Sequence, residues 1–136
     1  MRSVVILIGP MSAGKSTLAK LLAKKLGVPR IELDEVRLRF YNEIGYNEKH
    51  ASEIAGQEGM IELIQYWKPF EAYAVERALE KFKNCVIDFG AGHSVYEDRD
   101  LFQRVQEALD PYRFVVQILP SPDLDRSVEI VNKRFS

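Results

Sequence analysis

The sequence predicts an α/β fold, a parallel sheet with helices on both faces in three layers. Two observations predict it. Short β-branched runs alternate with longer segments of helical periodicity. The first run, Val4–Ile8, is apolar at every position, as in a strand covered on both sides.

Each element follows in turn. Gly9-Pro10 ends the first strand. From Lys15 to Leu26 the residues Leu18, Leu21, Leu22 and Leu26 recur at helical spacing, with Lys24 and Lys25 in the last turn and Gly27 as the stop. Residues 31–33 read as a short second strand ending at Asp34. The middle of the chain is helical: Met60, Leu63, Ile64 and Trp67 form one face, and Phe70, Ala74, Ala78, Leu79 and Phe82 another. Pro69 between them predicts a kink or the start of a new helix. Residues 84–88 form a third strand, followed by the turn Phe89-Gly90-Ala91-Gly92. Leu101, Val105, Ala108 and Leu109 mark a helix closed by Asp110-Pro111, and residues 113–119 a fourth strand. Ser121-Pro122-Asp123 then sets up the start of a last helix, reaching about Lys133.

Composition narrows the function classes. The chain has 136 residues, enough for one domain with its own core, and 19 Lys+Arg against 20 Asp+Glu. A net charge of -1 argues against nucleic acid or an anionic membrane as partner, since both select a basic excess. One cysteine excludes an internal disulfide, and two histidines disfavour a zinc site. The apolar run at 4–8 is too short for a signal sequence or a membrane span. The expectation is a reduced, soluble, cytoplasmic protein.

One motif carries chemistry. Gly9-Pro10-Met11-Ser12-Ala13-Gly14-Lys15-Ser16 matches the Walker A phosphate-loop pattern at every defined position, and Thr17 follows. The glycines let the backbone curl so that successive N–H groups surround a polyphosphate, and the next helix adds its free N–H groups and positive dipole end. Lys15 would reach the β- and γ-phosphates, and the Ser16 hydroxyl would ligate magnesium. A chance match in a chain of this length is about a one-in-a-hundred event. Asp88 closes a mostly apolar strand, where a carboxylate binds magnesium through water. Asp34, at a strand's carboxyl end beside the loop, is placed to accept a proton or to cap the helix that follows. Arg37 is close enough in sequence to pair with an anionic substrate.

The segment from Leu7 to Thr17 is similar to the phosphate-binding segment of shikimate kinases and related small-molecule kinases of the nucleoside-monophosphate-kinase fold. Asp34, then Val86-Ile87-Asp88 running into Gly90-Ala91-Gly92, then an arginine-bearing helix after the fourth strand keep the same order. The resemblance implies ATP and Mg2+ as cofactors, strand order 2-3-1-4, and an acceptor held by Asp34 and the turn Gly90-Ala91-Gly92. It makes residues 37–82 the helical acceptor-binding region and 121–136 the start of a lid, with Arg126 touching phosphate and Arg134 neutralising the transferring group. Ala91 departs from the family's glycine triplet. No arginine follows Asp88 before Arg99, which tilts the acceptor away from a nucleotide. Shikimate kinases place an arginine in the helix before the third strand to clamp the shikimate carboxylate. The matching place here is Phe70-Glu71-Ala72, and a glutamate offers no cationic fork. Glu71 suits hydroxyl or amine groups better.

The leading expectation is therefore transfer of the γ-phosphoryl of ATP to a small-molecule hydroxyl. The rival from another class is a regulatory or non-catalytic ATP-binding domain, and a third is a kinase of nucleotide or polynucleotide ends. His93 reads as an exposed loop residue, and Trp67, Phe70 and Tyr73 as core. Against the family pattern the chain is short by about 25–40 residues, one strand and one helix. That leaves the fourth strand as an apolar edge for a further segment or a second copy to cover.

Overall fold

The computed structural model describes residues 4–10, 13–90 and 92–119. Strand β1 (Val4–Ile8) leads into helix α1 (Lys15–Leu26), then β2 (Arg30–Glu32) and α2 (Leu33–Tyr41). A 3-10 turn at Asn42–Ile44 precedes α3 (Glu48–Gln57) and the long α4 (Met60–Lys81). Strand β3 (Cys85–Asp88), helix α5 (Arg99–Leu109) and strand β4 (Phe114–Gln117) complete the described chain.

The four strands are parallel in the order β2-β3-β1-β4, the order expected from the resemblance. Register sets Leu7 beside Asp88 and Glu32 on the other side of Asp88, so the carboxyl ends of β1, β2 and β3 finish level. Alternation along β1 divides the core. Ile6 packs with Ile87, Phe40, Val75 and Phe89 on the α2, α4 and α5 side. Leu7 packs with Val86 against Ala19 and Ala23 of α1 on the other. Both sheet faces are covered, which is why β1 and β3 are apolar throughout up to Asp88. Strand β4 differs, being the edge of the sheet among the described residues: Phe114 and Val116 are 51% and 40% exposed.

Two elements differ from the sequence reading. Strand β2 ends at Glu32, because Leu33 already opens α2 and is fully buried there. Helix α4 runs through Pro69 without a second start. The proline cannot donate to the Gln65 carbonyl, a defect of about 3 kcal/mol. The face made by Ala72, Val75, Ala78 and Leu79 is wholly buried and outweighs it. Of the proposed first face only Leu63 is buried, while Met60 and Ile64 are exposed. Helix α3 is held at its start by Asn47, whose side chain accepts from the His50 N–H. The expected helix from Ser121 lies outside the described residues. Among the described residues no helix is long and apolar enough to cross a membrane.

Candidate phosphate and acceptor site

The end of β1 shows why the loop begins with glycine. Gly9 has φ +152°, and a Cβ there would stand 2.5 Å from the Ile118 carbonyl oxygen. That backbone is fixed in place, because the Ile118 N–H donates to the Ile8 carbonyl at 2.8 Å. Gly14, at φ +88°, turns the chain into α1 from the left-handed region. Among the described residues no side chain caps α1, and its first turn carries no acid. The first N–H groups and the positive dipole end are therefore available to an anion.

These residues open on a cavity of about 470 Å³. One wall is Pro10, Gly14, Lys15, Ser16 and Thr17; the other is Glu32, Asp34, Asp88 and Phe89. The fold thus brings the phosphate loop, Asp34 and Asp88 into one space. Lys15 Nζ lies 3.3 Å from Asp88 Oδ1. Among the described residues this ion pair is the contact that Oδ1 makes. Burial pushes the Asp88 carboxyl up, and the Lys15 charge opposes that shift.

Glu32 is a site residue that sequence reading missed. Ser16 Oγ donates to Glu32 Oε1 at 3.4 Å, and Arg30, ion-paired to Glu32, reaches Ser16 Oγ at 3.4 Å. A hydrogen bond from Glu35 and the Arg30 guanidinium hold the Glu32 carboxyl low, whereas the Glu35 carboxyl is pushed up by the same contact. The signal is present in Glu32-Leu33-Asp34, but the sequence pattern places the strand at 31–33, one residue later than Arg30–Glu32.

Asp34 is the second residue of α2 rather than its cap, with its side chain 62% exposed toward the cavity. Its carboxylate rests against Gly90, where a Cβ would come within 2.6 Å of Asp34 Cγ. His93 is not an exposed loop residue: it is 2% exposed, with Nδ1 3.8 Å from Asp34 Oδ1. The turn folds inward because the His93 N–H donates to the Gly90 carbonyl and Tyr96 Oη donates to the His93 carbonyl.

Arg37, one turn beyond Asp34, stands over the Tyr41 and Trp67 rings at 5.9 and 6.0 Å and is not on the cavity wall. Glu71 is buried and pairs with Lys68 at 2.8 Å. A Cβ on Gly92 would lie 3.3 Å from the Glu71 carboxylate, so this pair sits under the turn. Lys68 also donates to the Gly92 and Val95 carbonyls, a clamp across 24 and 27 residues that sequence could not show. Arg77 faces elsewhere, paired with Glu43 and Glu80. Phe70 packs in the aromatic core with Tyr41 and Tyr46. Met11, Ser12, Ala91, Arg126 and Arg134 lie outside the described residues.

Among the described residues no group of three or more His, Cys, Asp or Glu side chains forms a metal cage. The Ser16 hydroxyl with the Glu32 and Asp88 carboxylates is instead a set of hard oxygens. Such a set fits magnesium, which keeps its waters and takes few protein ligands. Asp88 Oδ1, buried and held by the Lys15 ion pair rather than by a further protein donor among the described residues, supports that fit.

A family model described as an AAA domain matches residues 4–126. A shikimate kinase of Azobacteroides pseudotrichonymphae genomovar. CFP2 is 32% identical over 88 residues, 65% of this chain and 46% of that protein. The chain thus spans about half the length of that curated relative. Among solved structures, shikimate kinase from Bacteroides thetaiotaomicron aligns over 98% of this chain and 96% of its own, at 19% identity and TM-score 0.45. Shikimate kinase from Aquifex aeolicus vf5 aligns over 98% and 94%, at 19% identity and TM-score 0.48. Matched from Val4 through the phosphate loop and the whole described sheet, the chain belongs to the AAA domain family and is similar over 88 residues to a shikimate kinase.

Proposed function

We propose that the protein is an ATP-dependent, magnesium-dependent kinase that moves the γ-phosphoryl of ATP onto a hydroxyl of a small molecule in the cytoplasm. One observation carries this reading: a single cavity joins the phosphate loop to Asp34 and Asp88. A domain that only held ATP needs no free carboxylate facing the loop. The net charge of -1 weighs against a polynucleotide acceptor.

In this reading the backbone from Gly9 through Pro10, Met11, Ser12, Ala13 and Gly14, with the N–H groups of Lys15, Ser16 and Thr17, cradles the phosphates. Lys15 leaves Asp88 for the β- and γ-phosphates. Ser16 would hold magnesium directly, and Glu32 and Asp88 would hold it through water. Bound magnesium supplies charge neutralisation on the phosphate oxygens. The acceptor lies between α2, α4 and the turn Gly90-Ala91-Gly92, within the helical region 37–82 and beside Arg37 and Glu71. Its hydroxyl oxygen forms the new bond to phosphorus as the bond to ADP breaks, and Asp34 takes the hydroxyl proton. Arg134 and Arg126 are assigned to the lid on sequence alone, neutralising the transferring group and touching phosphate. Positioning and electrostatics supply most of the rate.

The reading is tested by incubating the protein with γ-labelled ATP, Mg2+ and a panel of hydroxylated metabolites, and separating the products. The expected result is labelled acceptor from the native chain and none from Lys15→Ala. Equal labelling by both chains would sink it.

A further inference from the structure

Two cations beside the phosphate loop are each parked on a carboxylate of the cavity wall. Lys15 Nζ sits 3.3 Å from Asp88 Oδ1, and Arg30 is ion-paired to Glu32. The pleat of β2 brings Arg30 there. Ile31 packs into the core on the α2, α4 and α5 side, so Arg30 and Glu32 stand together on the opposite face, where α1 begins. One guanidinium nitrogen then serves two acceptors: it pairs with Glu32 Oε1 and donates to Ser16 Oγ at 3.4 Å. The Ser16 hydroxyl donates in turn to Glu32 Oε1 at 3.4 Å. Among the described residues Glu32 is the carboxylate that Arg30 pairs with, yet its charge reaches further. Glu32, Glu35 and Asp88 are all drawn downward by it.

This cluster ties up the oxygens that a magnesium site uses. Ser16 and Glu32 are the groups assigned above to the metal, and a guanidinium touching both repels a dication placed there. Arg30 is free to leave. Its side chain and that of Glu32 are each 23% exposed, and partly exposed ion pairs hold weakly. A new partner lies close by, because Ser16 is in the first turn of α1, whose N–H groups face an incoming phosphate. The guanidinium fork matches phosphate oxygens as well as it matches a carboxylate.

We propose that Arg30 couples the binding of ATP to that of magnesium: it occupies Glu32 and Ser16 in the ligand-free chain and passes to the phosphates of ATP as those two groups take the metal. The inference rests on the ATP-binding reading above and adds a coupling device to it. Lys15 and Asp88 make the same exchange on the other side of the site. Magnesium alone strands Arg30 without an anion, and ATP supplies one, so each ligand favours the other and the coupling is reciprocal. An arginine that merely braced Glu32 would act in the opposite sense, favouring the metal in the absence of nucleotide.

The test compares the native full chain with Arg30→Met, which keeps the length of the side chain and removes its charge. Calorimetry gives the Kd of a non-hydrolysable ATP analogue, adenylyl imidodiphosphate, in MgCl2 and in EDTA. Thermal unfolding of the nucleotide-free chain gives the midpoint of stabilisation by Mg2+ alone. The native chain should bind the analogue tenfold or more tighter with magnesium than without. Arg30→Met should move the two readouts oppositely: analogue Kd in MgCl2 raised fivefold or more, and the Mg2+ midpoint lowered threefold or more. Arg30→Lys, which keeps the charge, should stay within threefold of the native chain in both. Arg30→Gln replaces Arg30→Met should the latter not fold. A Mg2+ midpoint that is unmoved or raised, or an unmoved analogue Kd, overturns the proposal. So does equal analogue binding by the native chain in MgCl2 and EDTA, which leaves the ATP site standing. Absence of analogue binding by the native chain in both conditions instead overturns the ATP reading itself.

Discussion

Replacing Gly90 by alanine separates the position of Asp34 from the stability of the fold. The Gly90 backbone lies outside the left-handed region, so alanine adopts it without strain. The new Cβ would stand 2.6 Å from Asp34 Cγ and Oδ2, and closer still to Oδ1, where ordinary contact begins at 3.4 Å. The carboxylate must therefore retreat by about 0.8 Å or more. It is free to do so, being a mostly exposed side chain, and the backbone stays in place. Misplacing a reacting group by about 1 Å costs on the order of 10²-fold in rate, or about 2.7 kcal/mol of transition-state stabilisation. Stability should hold or rise by a few tenths of a kcal/mol, since alanine narrows the unfolded ensemble (~0.4–1 kcal/mol). Transfer kinetics and urea unfolding on the same preparation read both quantities. A kcat/KM within threefold of the native value would refute the placement of Asp34. A stability loss above about 2 kcal/mol would refute the claim that only a side chain moves.

Three further outcomes follow from other parts of the structure. Gly9→Ala meets fixed backbone at Ile118 and a φ that alanine disfavours, so denaturant unfolding should show a loss of about 1–3 kcal/mol. His93 carries a lowered pKa because burial disfavours its charge, against Glu71 and Asp34, which favour it, with Arg37 and Lys68 opposing them. Its contribution to stability is complete above pH 6.5 and is lost as pH falls through the folded value. The difference in unfolding free energy between the native chain and His93→Asn should change below pH 6.5 by no more than about 1.4 kcal/mol per pH unit, and a flat difference contradicts this. Asp88 is shifted the opposite way by burial, so its charge costs stability as pH rises through the folded value. Asp88→Asn should abolish magnesium-dependent transfer while making the ligand-free chain no less stable at pH 7, with any gain fading toward pH 4 in thermal unfolding.

What was legible in the sequence is what local pattern determines. The apolar run 4–8, the glycine-lysine-serine loop and the leucine spacing of α1 each specify themselves within a dozen residues. The four strands and their order were accessible because the motifs keep that order. Pro69 starts no new helix, because the burial of Ala72, Val75 and Ala78 that carries α4 through it depends on partners distant in the chain. His93 looked exposed because its neighbours are glycine, alanine and serine. Its burial comes from the Lys68 clamp and the Tyr96 hydroxyl, contacts no periodicity encodes. Glu32 carries no motif of its own, and its place beside Asp88 comes from the strand register. The candidate site is thus half local motif and half tertiary arrangement, and sequence reading found the first half.

The central claim is that Asp34 faces an acceptor across a phosphate loop that holds ATP. Single-turnover transfer from γ-labelled ATP by Asp34→Asn, with ATP binding measured in parallel, tests it most directly. The account predicts unchanged ATP binding and a transfer rate reduced by about 10²-fold or more. Transfer at the native rate would contradict it.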